Sequence, residues 1–136
     1  MRQITKIIPL KVNEETMNFR ITRLDAFSGG KLLKMLSSVQ KERNEPFGLS
    51  DFLFSLGDYD FEAVMRVCLA HAEAQLPAGY MTVWKDGCWG VPEMETETMA
   101  CLKLTLEVMA FSMEGFFTGG GSGSGSEKAD SCPQSR

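Results

Sequence analysis

Phe19-Arg20-Ile21-Thr22-Arg23-Leu24 alternates apolar and polar side chains, whereas Lys31-Leu32-Leu33-Lys34-Met35-Leu36, a few residues on, does not. The first stretch has the period of two expected of a half-buried strand, with Phe19, Ile21 and Leu24 or its neighbour facing inward. In the second, Leu32, Leu33, Leu36 and Val39 share one side of a 3.6-residue helix. Met35 lies beside that stripe, and Lys31, Lys34, Lys41 and Arg43 surround it. A change of period across Phe27-Ser28-Gly29-Gly30 marks a mixed chain in which strand gives way to helix.

Toward the N-terminus, Ile4-Thr5-Lys6-Ile7-Ile8 is rich in β-branched residues, and the polar Val12-Asn13-Glu14-Glu15-Thr16 reads as a turn. Residues from about 3 to 24 therefore form a β-hairpin. Toward the C-terminus, the first helix spans about 31–43 and stops at Asn44-Glu45-Pro46-Phe47-Gly48, because proline disfavours helical geometry in the residue before it. Ser50 or Asp51 then caps a short helix over 50–56, which carries Phe52, Leu53 and Leu56 and ends at Gly57. Asp58 caps a helix over 59–75 whose stripe is Phe61, Val64, Met65, Cys68, Leu69 and Ala72. Leu76-Pro77-Ala78-Gly79 breaks it. A second hairpin, Met81-Thr82-Val83-Trp84 against Cys88-Trp89-Gly90-Val91, turns on Lys85-Asp86-Gly87. Glu93, Glu95 and Glu97 suit the positive end of a last helix over 94–116. The expected fold is α+β and mainly α: an N-terminal β-hairpin, a small helical bundle, and a short second hairpin.

Composition sets the outer bounds. The chain has 136 residues, 43% hydrophobic and 24% charged, with a net charge of -4, which fits one globular domain and disfavours nucleic acid and anionic membranes as partners. Residues 118–136 have no aromatic or branched aliphatic side chain to bury and read as a Gly/Ser-rich flexible tail, leaving a single domain over 1–117. No stretch approaches the roughly 18 consecutive apolar residues of a spanning helix, and the N-terminus lacks the features of a signal peptide. A cytoplasmic location is expected. Charge is uneven: residues 1–43 hold nine Lys plus Arg against four Asp plus Glu, while residues 44–136 hold five against fourteen. The plain reading is solvated faces with pairing inside the domain. The sharper one is a basic face and an acidic face that steer a partner or build a homo-oligomer.

Candidate chemistry is sparse. His71 follows Cys68 by three residues, on one helical face, yet no further ligands complete a metal site and no orienting group completes a Cys-His nucleophile. Asp58-Tyr59-Asp60-Phe61-Glu62 lacks the ligand series and central glycine of a calcium loop, and Gly119-Gly120-Gly121 lacks the surroundings of a phosphate loop. Cys68, Cys88, Cys101 and Cys132 show no regular spacing and read as free thiols. No catalytic residue, metal or cofactor is expected, and the protein is not expected to be an enzyme. Methionine is the outlier, with nine residues. Along the last helix it either fills the core or lines an adaptable groove, in which case Met99, Leu102, Leu106, Met109, Met113, Phe116 and Phe117 meet a partner.

Phe19-Arg20-Ile21-Thr22-Arg23-Leu24-Asp25-Ala26-Phe27 running into Lys31-Leu32-Leu33-Lys34-Met35-Leu36 resembles the tail assembly chaperones of long-tailed, siphovirus-like bacteriophages. These commonly have a short basic strand, an aromatic junction and a Lys- and Leu-rich first helix. The length and order of the remaining helices are similar too, so the resemblance covers about residues 17–117. It implies a chaperone of virion assembly that binds the tape measure protein, keeps it soluble and recruits tail tube subunits in the host cytoplasm. The Trp84 to Trp89 hairpin has no counterpart in that pattern. A small intracellular adaptor or regulatory subunit of another protein assembly would use the same kind of apolar surface.

Overall fold

The computed structural model describes residues 4–41 and 48–114. Strands β1 (Thr5–Val12) and β2 (Glu15–Thr22) pair antiparallel from Val12↔Glu15 out to Thr5↔Thr22. Their turn is tighter than the polar stretch suggests: only Asn13 and Glu14, both at positive φ, form the two-residue loop that suits the twist of a hairpin. Phe19 and Ile21 are buried with Ile8 and Val12, while Ile7 remains exposed on the outer face. Leu24 lies past the strand and is half-buried.

Helix α1 (Ala26–Lys41) begins five residues before the expected start at 31. Asp25 explains the difference: its Oδ2 accepts the Ser28 N–H at 3.1 Å and its carbonyl accepts the Gly29 N–H at 2.8 Å. The cap fixes the first turn, and burial of Leu32 and Leu36 carries Gly29 and Gly30, each unfavourable by about 1 kcal/mol inside a helix. The expected stop at Pro46 and the tail over 118–136 lie outside the described residues. Helix α2 (Leu49–Ser55) is capped from Gly48 instead of Ser50 or Asp51; the Asp51 carboxylate, in the first turn, accepts the Gly48 N–H at 3.1 Å. Helix α3 (Asp58–Leu69) likewise takes Gly57 as its cap, which makes Asp58 its first helical residue.

The helix expected over 59–75 ends at Leu69, and the chain then turns into strand β3 (Ala72–Leu76). Ala-Glu-Ala-Gln-Leu is locally helix-prone, but Ala72 sits opposite Ile21 and Ala74 opposite Phe19, where small side chains leave room for the larger pair. The Leu76-Pro77-Ala78-Gly79 segment is therefore a hairpin turn into β4 (Gly79–Thr82). The sheet has four antiparallel strands in the order β1-β2-β3-β4. Because Met81 and Thr82 belong to β4, the Trp hairpin shrinks to β5 (Trp84–Lys85) and β6 (Cys88–Trp89) around Asp86-Gly87. Trp84 and Trp89 meet edge to face at 5.1 Å. This hairpin folds back so closely that a Cβ on Gly90 would lie 2.0 Å from the Thr82 carbonyl oxygen, so only glycine fits there.

The helix expected over 94–116 divides into a 3-10 helix (Pro92–Thr96) and α4 (Thr98–Ser112). Leu104, Val108, Met109 and Phe111 of α4 are buried in the single core, against α2, α3 and the inner face of β1 and β2. The opposite face of the sheet carries Ile7, Arg20, Glu73 and Tyr80 toward solvent, with the Arg20 guanidinium 3.9 Å from the Tyr80 ring centroid and 2.7 Å from Glu73. The architecture is α+β, a four-stranded antiparallel sheet with helices on one face. Among the described residues no helix is long and apolar enough to cross a membrane.

Candidate docking cleft between two helices

Helix α1 buries Leu32 and Leu36 and turns Ser28, Lys31 and Met35 toward α3, whose Val64 and Cys68 are buried beside them. Between the two helices lies a cleft of about 140 Å³. Leu32, Val64 and Cys68 form its floor, Leu24, Met35 and Val67 its walls, and Lys31 stands at its exposed rim. Small-molecule sites usually run from about 300 Å³ upward, whereas an apolar cavity of roughly 150 Å³ takes one benzene ring. By size and lining the cleft suits one anchoring apolar side chain.

Helix α3 extends this surface. Its buried stripe, Val64, Cys68 and Leu69, leaves Tyr59, Ala63, Val67 and Ala70 on the opposite side, at the spacing of one helical face. That face is apolar yet exposed; Tyr59 is 84% accessible and Val67 36%. The alanines would let the backbone of a second helix approach closely. Beyond Val67 a broader hollow of about 460 Å³ is bordered by Arg66, Trp84 and Lys85. Arg66 pairs with Glu62 one turn earlier and lies 4.9 Å from the Trp84 ring centroid. The apolar ridge of α3 thus runs between a lysine on one side and a cation–aromatic group on the other.

The last helix buries two of the methionines that the sequence offered as a partner surface. Met109 and Met113 are core residues, 0% and 3% accessible, which corrects their assignment to a partner surface. The reason is geometric: α4 is enclosed by α2, α3 and the sheet, so apolar residues occupy most of its circumference. Met99 is 65% accessible, Leu102 and Leu106 are half-buried beside it, and Phe116 and Phe117 lie outside the described residues. The signal that marks the cleft was present in the sequence all the same. Tyr59, Ala63, Val67 and Ala70 place apolar residues on the side of α3 that the core stripe leaves to solvent.

Cys68 and His71 have different side-chain surroundings. Cys68 is buried, and burial pushes its thiol up to about 12; Cys101 is pushed up to about 11 by burial and then by the Glu97 charge, so neither is a thiolate near neutral pH. Cys88 is exposed. His71 instead ties chain segments together: its Nδ1 lies 2.9 Å from the Val67 carbonyl and its Nε2 3.5 Å from Asp25. Among the described residues no three His, Cys, Asp or Glu side chains gather closely enough to hold a metal ion. The surface is suited to holding an apolar side chain beside a positive charge. No protein-family model, curated protein or solved structure matches the chain.

Proposed function

We propose that the chain is a non-enzymatic assembly chaperone of the phage-tail type, which covers apolar stretches of the long helical tape measure protein until tail tube subunits surround it. The observation that supports this reading is the α1–α3 cleft with the exposed apolar face of α3 beside it. An amphipathic helix left without partners is an aggregation hazard, and a one-ring cleft continuous with an alanine-rich ridge offers an anchor and a bed for it. Lys31 at the rim favours clients that carry carboxylates next to the anchoring residue. The host cytoplasm is where such a complex would form.

Coexpression with the long helical product of a neighbouring gene tests the proposal. The full chain should keep that protein in the soluble fraction and copurify with it. Val67→Asp should abolish this effect while Met99→Asp preserves it. A client equally insoluble with and without the chain contradicts the chaperone reading; copurification of a different, non-structural assembly protein would favour the adaptor reading.

A further inference from the structure

The exposed side of α3 has two complementary ends. Tyr59, Ala63, Arg66 and Ala70 follow one another at spacings of four, three and four, so they lie along one line of the helix, with Glu62 and Val67 to either side. All six are exposed. At the N-terminal end of this line Tyr59 stands 84% accessible, between Asp58 and Asp60 in the first turn. At the C-terminal end Ala70 opens onto the hollow of about 460 Å³, whose apolar side is Val67, Ala70 and Trp84 and whose charged groups are Arg66, Lys85 and Asp86. One end of the ridge is thus an exposed ring flanked by acids, and the other is a space with an aromatic wall and two cations against one carboxylate. Along the line between them lie Ala63, Val67 and the Glu62–Arg66 ion pair.

We infer that this ridge is covered by the same ridge of a second copy of the chain, the two α3 helices running antiparallel about a two-fold axis between Ala63 and Val67. Such an axis maps each end of the ridge onto the other, because Tyr59 and Ala70 both lie about 8 Å along the helix from its midpoint. Tyr59 of each copy then enters the hollow of the other. Its ring meets Val67, Ala70 and Trp84 while its hydroxyl faces the polar rim, which suits a side chain with an apolar body and a polar tip. A cavity of roughly 150 Å³ holds one benzene ring, so the hollow admits the phenol with space for water. Ala63, beside the axis, lets the two backbones approach closely. Around it Glu62 and Arg66 of both copies alternate in sign, and the Asp58–Asp60 end of each ridge lies by Lys85 of the other copy. A parallel arrangement would oppose like charges and leave both hollows unfilled. The pairing belongs to the free chain, whatever client the chain serves; a helical client lying on α3 would displace the second copy.

Sedimentation equilibrium of the full chain at rising concentration tests the inference. A reversible monomer–dimer equilibrium is expected, weakened by salt because the charges around the axis are screened. Ala63→Arg, an exposed substitution that places bulk and charge beside the axis, should leave the chain monomeric, and Tyr59→Ala should raise the dissociation constant about tenfold or more. Met99→Arg, exposed on α4, should dimerise like the parent. Glu62→Arg and Arg66→Glu each gather four like charges at the axis of a homodimer, so neither variant should dimerise alone, while an equimolar mixture of the two should form a heterodimer. In that mixture each chain has lost its own Glu62–Arg66 pair, so recovery reports contact between chains and not repair of α3. Parental helix content by circular dichroism is the check that each variant folds. A parent chain that is monomeric at every concentration, a dimer that Ala63→Arg leaves intact, or a mixture that stays monomeric overturns the inference. Because no client is present, any of these results would leave the proposed chaperone function standing.

Discussion

Asp25 shows how one side chain can join several elements. Its carboxylate caps α1 through Ser28 and faces His71 at the turn between α3 and β3. The Ser28 N–H, followed by the Ser28 hydroxyl, holds the Asp25 carboxyl below its ordinary value near 3.8, with a smaller contribution from His71. Since folding lowers this pKa, the stabilisation is present above pH about 3.8 and disappears as pH falls through the folded-state value. Asp25→Asn retains a capping oxygen without the titration. The difference in urea midpoint between parent and variant should therefore narrow as pH falls below about 3.8; a difference that stays constant would contradict this account. The sequence did not reveal this cap, because Gly29-Gly30 reads locally as a break and only the packing of Leu32 and Leu36 shows that the helix runs through it. Phe19 and Ile21 were legible from strict alternation alone, since a sheet with one covered face imposes that period.

At the scale of elements, legibility depended on whether an element buries one face or several. Residues Val64, Cys68 and Leu69 of α3 were readable as core because the helix has one buried side, whereas its end was not readable. Ala72 continues the helical stripe in sequence, yet its opposition to Ile21 places it in a strand. Helix α4 lies at the other extreme. With the core closing around it, spacings of three and four no longer separate a partner face from a buried one, and Met109 and Met99 look equivalent until the neighbouring elements are in place. Their substitution should differ sharply. Met109→Ala removes fully buried bulk and is expected to cost about 2–4 kcal/mol, while Met99→Ala should remain within about 0.5 kcal/mol of the parent in urea unfolding. Equal losses at both positions would show that α4 is oriented differently.

Over the whole molecule, the uneven charge of the sequence is partly neutralised internally. Arg20 and Arg23, from the basic N-terminal portion, pair with Glu73 and Glu114 of the acidic remainder. Such partly exposed pairs contribute little stability, about 0–1 kcal/mol each, but they fix β2 and the start of α1 against β3 and the end of α4. Lys31 and Lys34 of α1 remain at the surface, Lys31 on the rim of the apolar cleft. On the proposed function, α1 and α3 would meet the client, while α4 packs mostly into the core. The most direct measurement is methionine-methyl NMR of the full chain titrated with a synthetic amphipathic helix that carries a central phenylalanine flanked by glutamates. The Met35 methyl resonance should shift on binding while that of Met99 stays in place; a shift at Met99 with Met35 unmoved would overturn the assignment of the client surface to α1 and α3.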